Sequence, residues 1–352
     1  MRGKIMRKIV LSTVSIFISF ALFGCNKEKE NIDEVNKPPK QEIVEEPIEE
    51  KVEEPVVIYS PLQGLPVKKV SNQRPVAVMV NNFHQARPQS GLSNADIVYE
   101  ILAEGDITRF LAIFQSNIPE KIGPVRSARD YYINLANGYH AIFISHGHSP
   151  KAKQMMESGV IDSLNGLYYD GTLFKRDPNR YAPHNSYVTK DGIKEGALIK
   201  KYKFKEDVKA LLFSQEQAFD STWKKISNAS IFYSNDARNN VTYKYDDDTT
   251  SFSRIQNGVI AKDALNDKQL AIKNILIVEA EHQVLDSYGR RFVNINGSGK
   301  GYYLTEGMKK EIKWKNVGGR IIPFDEAEKE IPLLPGQTWI NFVPNFSSVT
   351  IK

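Results

Sequence analysis

The chain has 352 residues, 41% apolar and 25% charged, with a formal net charge of +5. These fractions exclude a bundle of membrane helices, and the length leaves room for two ordinary domains. A single cysteine, Cys25, excludes an internal disulfide framework, and no internal repeat marks a solenoid.

The charge is unevenly spread. Residues 1–25 carry +4, from Arg2, Lys4, Arg7 and Lys8, whereas residues 26–60 hold eleven acids against five lysines. Residues 9–23 contain no charge, Gly or Pro. As a helix this run would rise about 22 Å, short of a ~30 Å hydrocarbon core, so it reads as the core of a signal peptide over 1–24. It ends in Leu22-Phe23-Gly24-Cys25, which resembles a bacterial lipobox, with Phe23 bulkier than is usual there. Cleavage before Cys25 and lipidation of its thiol with diacylglycerol, whose acyl chains are of the palmitate type, would anchor the protein on the outer face of the cell membrane. The alternative is an uncleaved signal anchor with an idle thiol. Residues 25–60 are acidic and interrupted by Pro38, Pro39, Pro47 and Pro55, the composition of an extended disordered tether.

From Arg74 the texture changes. Residues 76–80 are an apolar run of strand length, and 96–102 with 106–115 read as a hairpin turning at Glu104-Gly105. Ser127 is placed to cap a helix from Asp130 to Gly138. Residues 141–145 read as a strand, and Ser149-Pro150 as an N-cap and first-turn proline for a helix over 151–158. A further helix is expected over 192–203. Beyond about residue 215 short strands dominate, at 231–233, 241–245, 275–278, 301–304, 312–314 and 338–343, as in a sheet or partly closed barrel. Gly297-Ser298-Gly299-Lys300-Gly301 lacks the spacing of a phosphate-binding loop and reads as a tight hairpin. The expected class is α+β: a mixed α/β N-terminal domain over 61–215, then a strand-rich C-terminal domain over 216–352.

Five of the six histidines fall between positions 84 and 184, together with Arg87, Arg109, Arg126, Arg129, Arg176 and Arg180. Three loops gather them: 122–130, 145–150 and 176–185. Strand ends that meet helix N-termini expose N–H groups, and arginines add planar forks, so Arg109, Arg126, Arg129, Arg180 and Asn185 are candidates for holding an anion. They could equally satisfy loop carbonyls and carboxylates such as Glu100 and Asp130. For general acid–base chemistry the candidates are His146, His148, His184 and Asp130. No His-Glu-x-x-His or cysteine pair is present, so no metal site or other cofactor is expected. No Gly-x-Ser-x-Gly nucleophile motif occurs either.

Residues 74–82, 86–92, 95–100 and 108–110, Gly123-Pro124-Val125-Arg126-Ser127-Ala128-Arg129 and Ala182-Pro183-His184-Asn185 closely follow the pattern of a known family. The chain resembles the YerB-type lipoproteins, a Gram-positive family with paired N- and C-terminal domains of unknown function. Tyr302-Tyr303, Trp314-Lys315 and Pro335-Gly336-Gln337-Thr338-Trp339 resemble its C-terminal half. The resemblance implies a membrane-anchored envelope protein working beside wall synthesis or remodelling, and it carries over no catalytic residue. Two functions follow as expectations. The first is a binding or scaffold protein acting with peptidoglycan, an anionic wall polymer or wall-synthesis enzymes. The second is an envelope hydrolase or transferase using a His/Asp/Arg cleft. Nucleic acid is excluded as a partner by location.

Overall fold

The computed structural model describes residues 57–352. The leader, Cys25 and most of the tether expected above lie outside the described residues. The described residues belong to one compact unit. Among the described residues 41% are in strands and 14% in helices.

An eleven-stranded mixed sheet runs through this unit. Its strands in chain order are β1 (Val76–Asn81), β2 (Ile97–Glu104), β3 (Ile107–Phe114), β4 (Ile142–Ser145), β5 (Ser163–Asn165), β6 (Lys224–Lys225), β7 (Asn274–Glu279), β8 (Ser298–Thr305), β9 (Met308–Val317), β10 (Arg320–Phe324) and β11 (Thr338–Val343). The spatial order is β6-β9-β8-β7-β11-β2-β3-β1-β4-β5, with β10 also on β9. The expected hairpin 96–115 is present as antiparallel β2 and β3.

β11 joins the two segments expected from the sequence. It pairs in parallel with β7 on one side and with β2 on the other. All six of its residues are buried, which is why it reads as an almost unbroken apolar run. The sheet therefore continues across residue 215, because β2 has no neighbour on that side without β11.

Period-two alternation distributes the core over both faces. Val76, Val78 and Val80 face one cluster, while Ala77 and Met79 face the other. On the second face packs α1 (Asp130–Asn137), through Tyr131, Tyr132, Ile133, Leu135 and Ala136. On the first face lie α4 (Lys190–Ile199) and a separate five-stranded antiparallel sheet that includes Asn228–Ile231, Val241–Asp246 and Ser251–Gln256. Neither sheet order closes on itself, so the C-terminal strands lie in two open sheets. The N-terminal part contains one parallel β-α-β unit, β4–α2–β5, with α2 at Pro150–Glu157; the hairpin beside it is antiparallel, so the α/β character is local.

Two local expectations are corrected. The N-cap of α1 is Arg129, without a side-chain cap; Ser127 instead donates to the His146 carbonyl at 3.2 Å. Residues 298–301 are part of strand β8, and the reversal falls at Glu306-Gly307, where both residues adopt positive φ. Ser149 does cap α2, accepting from the Ala152 N–H at 3.3 Å, with Pro150 behind it.

Candidate functional site

The three loops singled out by sequence meet at one end of β1. His146 N donates to Arg126 O (3.0 Å), Ala128 N to Gly147 O (2.9 Å) and Ser149 N to Ala128 O (3.1 Å). Val125 N donates to Ser186 O at 2.6 Å and Arg126 N to Met79 O at 2.9 Å, tying the same loop to the third segment and to the sheet. Gly147 adopts φ +96, and a Cβ there would sit 2.5 Å from Ser127 Oγ, so only glycine allows this approach.

Three arginines gather around one carboxylate. Glu104, at the end of β2, accepts from Arg109 Nη2 at 2.7 Å and from Arg129 Nη2. Arg109 also donates to Ser127 O, and Arg129 to Ala128 O. Arg129 is 3% exposed, and its buried Nε–H has no partner among the described residues. Burial, with Arg129 as a like-charged neighbour, brings the Arg109 pKa down to about 10, still high enough to stay protonated at neutral pH. Arg126 makes no side-chain hydrogen bond among the described residues; burial lowers its pKa, opposed by Glu104. The cluster thus holds more positive charge than Glu104 offsets.

Beside it opens a cleft of about 500 Å³, lined among others by Arg129, Ser127, His148, Lys153, Tyr288 and Arg290. Tyr288 and Arg290 come from the turn between the paired strands His282–Val284 and Arg291–Val293, docked on the β2–β3 turn by Gly105 N to Gly289 O at 3.0 Å. Sequence reading missed both of these residues and Glu104. Asp286-Ser287-Tyr288-Gly289-Arg290-Arg291 carries turn chemistry, but nothing local says which cleft a turn so far along the chain will border.

The histidines are placed less productively for catalysis. His146 Nδ1 lies 2.7 Å from Ser186 Oγ, and Arg176 Nη2 donates to Nε2 at 3.1 Å, so both ring nitrogens are engaged. Arg176 is itself clamped by Asp170 and by Asn185 Oδ1. Burial, then Arg176, lowers the His146 pKa. His184 Nδ1 accepts from Asn81 Nδ2 at 2.8 Å and its ring stacks on Phe83; burial, then Arg126, lowers its pKa too. Asp130 pairs with Lys151 at 2.7 Å and bonds neither His146 nor His148. Arg180 donates to Pro88 O, and Asn185 Nδ2 to Arg180 O. The loops therefore converge as an arginine-rich recess, and the expected acid–base pair of Asp130 with a histidine is not formed. Among the described residues no three His, Cys, Asp or Glu side chains lie close enough to hold a metal ion, and no helix is long and apolar enough to cross a membrane.

Comparison with known proteins matches two family models, "Protein of unknown function (DUF3048) N-terminal domain" over residues 62–203 and its C-terminal counterpart over 229–340. A Bacillus subtilis (strain 168) protein named "Putative lipoprotein YerB" is 43% identical over 349 residues, covering 99% of this chain and 98% of the relative. The crystal structure of YerB protein from Bacillus subtilis superposes with a TM-score of 0.78 at 47% identity, covering 84% of this chain and 99% of that one. The chain belongs to the YerB-type family, whose paired DUF3048 domains make up a lipoprotein of unknown function.

Proposed function

We propose that the protein is an extracytoplasmic binding lipoprotein, anchored in the cell membrane through acylated Cys25, that holds an anionic wall polymer in the recess formed by loops 122–130 and 145–150. The observation that carries this reading is the excess of arginine over carboxylate. Arg109 and Arg129 share Glu104, Arg126 has no side-chain partner among the described residues, and the buried Nε of Arg129, which lines the cleft, has no acceptor among them either. A buried donor without a partner is costly unless a ligand or water completes it, and planar guanidinium groups suit carboxylate and phosphate oxygens. The charge distribution of the chain agrees with this reading. The acidic tether would repel such a polymer, and the body beyond residue 60 is net positive.

The test is sedimentation of the full acylated chain, in detergent, with isolated cell wall before and after its anionic polymer is stripped. Binding should depend on the polymer, weaken as salt is raised, and fall about tenfold or more in Arg290→Gln, which removes a cation lining the cleft, a charge-assisted contact being worth roughly 1.5–3 kcal/mol. Equal retention by stripped wall, or no change in Arg290→Gln, would sink the reading. The anchor is tested separately: Cys25→Ala should move the protein from the membrane fraction to the medium.

A further inference from the structure

A second cleft, about 330 Å³, adjoins the arginine recess; His148 and Lys153 line both. Its other walls include Tyr168 and Tyr169, carried on α3 (Gly166–Tyr169), together with Tyr202 and Asn165. Tyr202 is fixed by its hydroxyl, which bonds both the N–H and the carbonyl of Ser163 at 3.2 Å. Tyr168 is 64% exposed although it is a large aromatic carried on a helical turn. Asn165 is only 4% exposed. Its Oδ1 accepts from Gly147 N and Leu167 N, both at 3.0 Å, which fixes the amide orientation and leaves Nδ2 as a buried donor without an acceptor.

Arg129 lines one cleft and Asn165 the other, each carries a buried donor without a partner among the described residues, Nε and Nδ2 respectively, and the second cleft adds aromatic faces. A ligand that completes this set needs flat apolar C–H faces, a rim of oxygen acceptors and a negative group further along its length. A pyranose polymer that bears acidic substituents has all three, whereas a free phosphate lacks the apolar face and an acyl chain lacks the acceptors. We infer that the paired clefts form a binding site for a linear saccharide chain, with a sugar ring against Tyr168, its hydroxyl or acetamido oxygen on Asn165 Nδ2, and an anionic substituent in the recess lined by Arg129, Lys153 and Arg290. This rests on the anion reading above and goes beyond it by naming the polymer class and the sugar subsite.

The experiment measures binding of the full chain in detergent to three probes: chitotetraose (neutral sugar), muramidase-released wall glycan strands, and inorganic polyphosphate (anion without sugar). The variants are Tyr168→Ala, an exposed change that leaves the core intact, and Arg290→Gln, in the lining of the first cleft alone. Tyr168→Ala should weaken chitotetraose and glycan-strand binding about tenfold and leave polyphosphate binding unchanged. Arg290→Gln should weaken polyphosphate and leave chitotetraose nearly unchanged. Polyphosphate binding without any binding of either sugar probe would overturn the saccharide inference and spare the anion reading. Sugar binding that Tyr168→Ala does not alter would overturn the placement. Loss of all three in the unmodified chain would sink both.

Discussion

The two segments of the chain are joined by a buried ion pair whose removal should be expensive. Glu100 of β2 and Arg254 of the strand Ser251–Gln256 have side chains 0% and 1% exposed, with Arg254 Nη1 2.8 Å from Glu100 Oε2 and Nη2 donating to Oε1 at 3.0 Å. Glu100 Oε1 also accepts from Asn82 and Thr108, and Arg254 Nη1 donates to the Tyr243 hydroxyl at 2.6 Å. The guanidinium lies over Trp339, Phe110 and Tyr243, at 4.8, 5.1 and 5.4 Å from the ring centroids. Arg254→Met keeps much of that packing volume and strands the carboxylate with its neutral donors alone, so it should cost about 3–5 kcal/mol. Glu100→Gln should cost a similar amount by stranding the arginine, and the double variant should lose much less than the sum, with a coupling of about 2 kcal/mol or more. The assay is urea unfolding followed by tryptophan fluorescence, Trp339 being a reporter beside the pair, with the slope checked for two-state behaviour. Costs below about 1 kcal/mol for each single variant, or additivity within about 0.5 kcal/mol, would refute the claim that this pair is a coupled, desolvated clamp.

Gly138→Ala should destabilise by about 1–3 kcal/mol, because the new Cβ would lie 2.5 Å from the Gly319 carbonyl carbon and backbone cannot swing aside; thermal unfolding measures it. Two buried groups should oppose each other in the pH dependence. Burial raises Asp96 from 3.8 to about 6, so its contribution is full below pH 3.8 and disappears as pH rises through 6, whereas burial depresses His282 from 6.5 to about 4, so its contribution is full above pH 6.5 and disappears as pH falls through 4. Each span corresponds to roughly 3 kcal/mol, and the two nearly cancel between pH 4 and 6.5. His282→Gln should therefore gain stability on acidification over that window and Asp96→Asn should lose it, as followed by melting temperature against pH; parallel profiles for all three proteins would contradict the assignment. Residues 57–215 expressed alone should fail to fold, since β2 would lose β11 as its neighbour, and a dispersed NMR spectrum of that fragment would show otherwise.

Local features were readable because they depend on neighbours in sequence. The β2–β3 hairpin followed from two β-branched and aromatic runs meeting at Glu104-Gly105, and the start of α2 from Ser149-Pro150. Ser127 was misread as a cap because its hydroxyl found the His146 carbonyl across the loop interface, a partner no spacing rule supplies. The Gly297–Gly301 stretch was misread as a turn because glycines at 299 and 301 serve a close approach within β8; a Cβ at Gly299 would lie 2.6 Å from Trp314 Nε1. For the site, the sequence indicated which loops carry arginine and histidine, but could not say that Asp130 would turn to Lys151 or that Tyr288 and Arg290 would border the recess.

What the sequence alone determined is written in composition and short-range order: the lipobox-like Leu22-Phe23-Gly24-Cys25, the acidic, proline-interrupted stretch after it, the strand and helix segments, and the family pattern. Which strands share a sheet was decided only in three dimensions, where β11 inserts between β7 and β2 and Arg254 reaches Glu100. The reason is physical. Hydrophobic periodicity specifies that a face must be buried, but the partner that buries it is chosen by packing and by pairing of the remaining polar groups, over separations that no local pattern encodes.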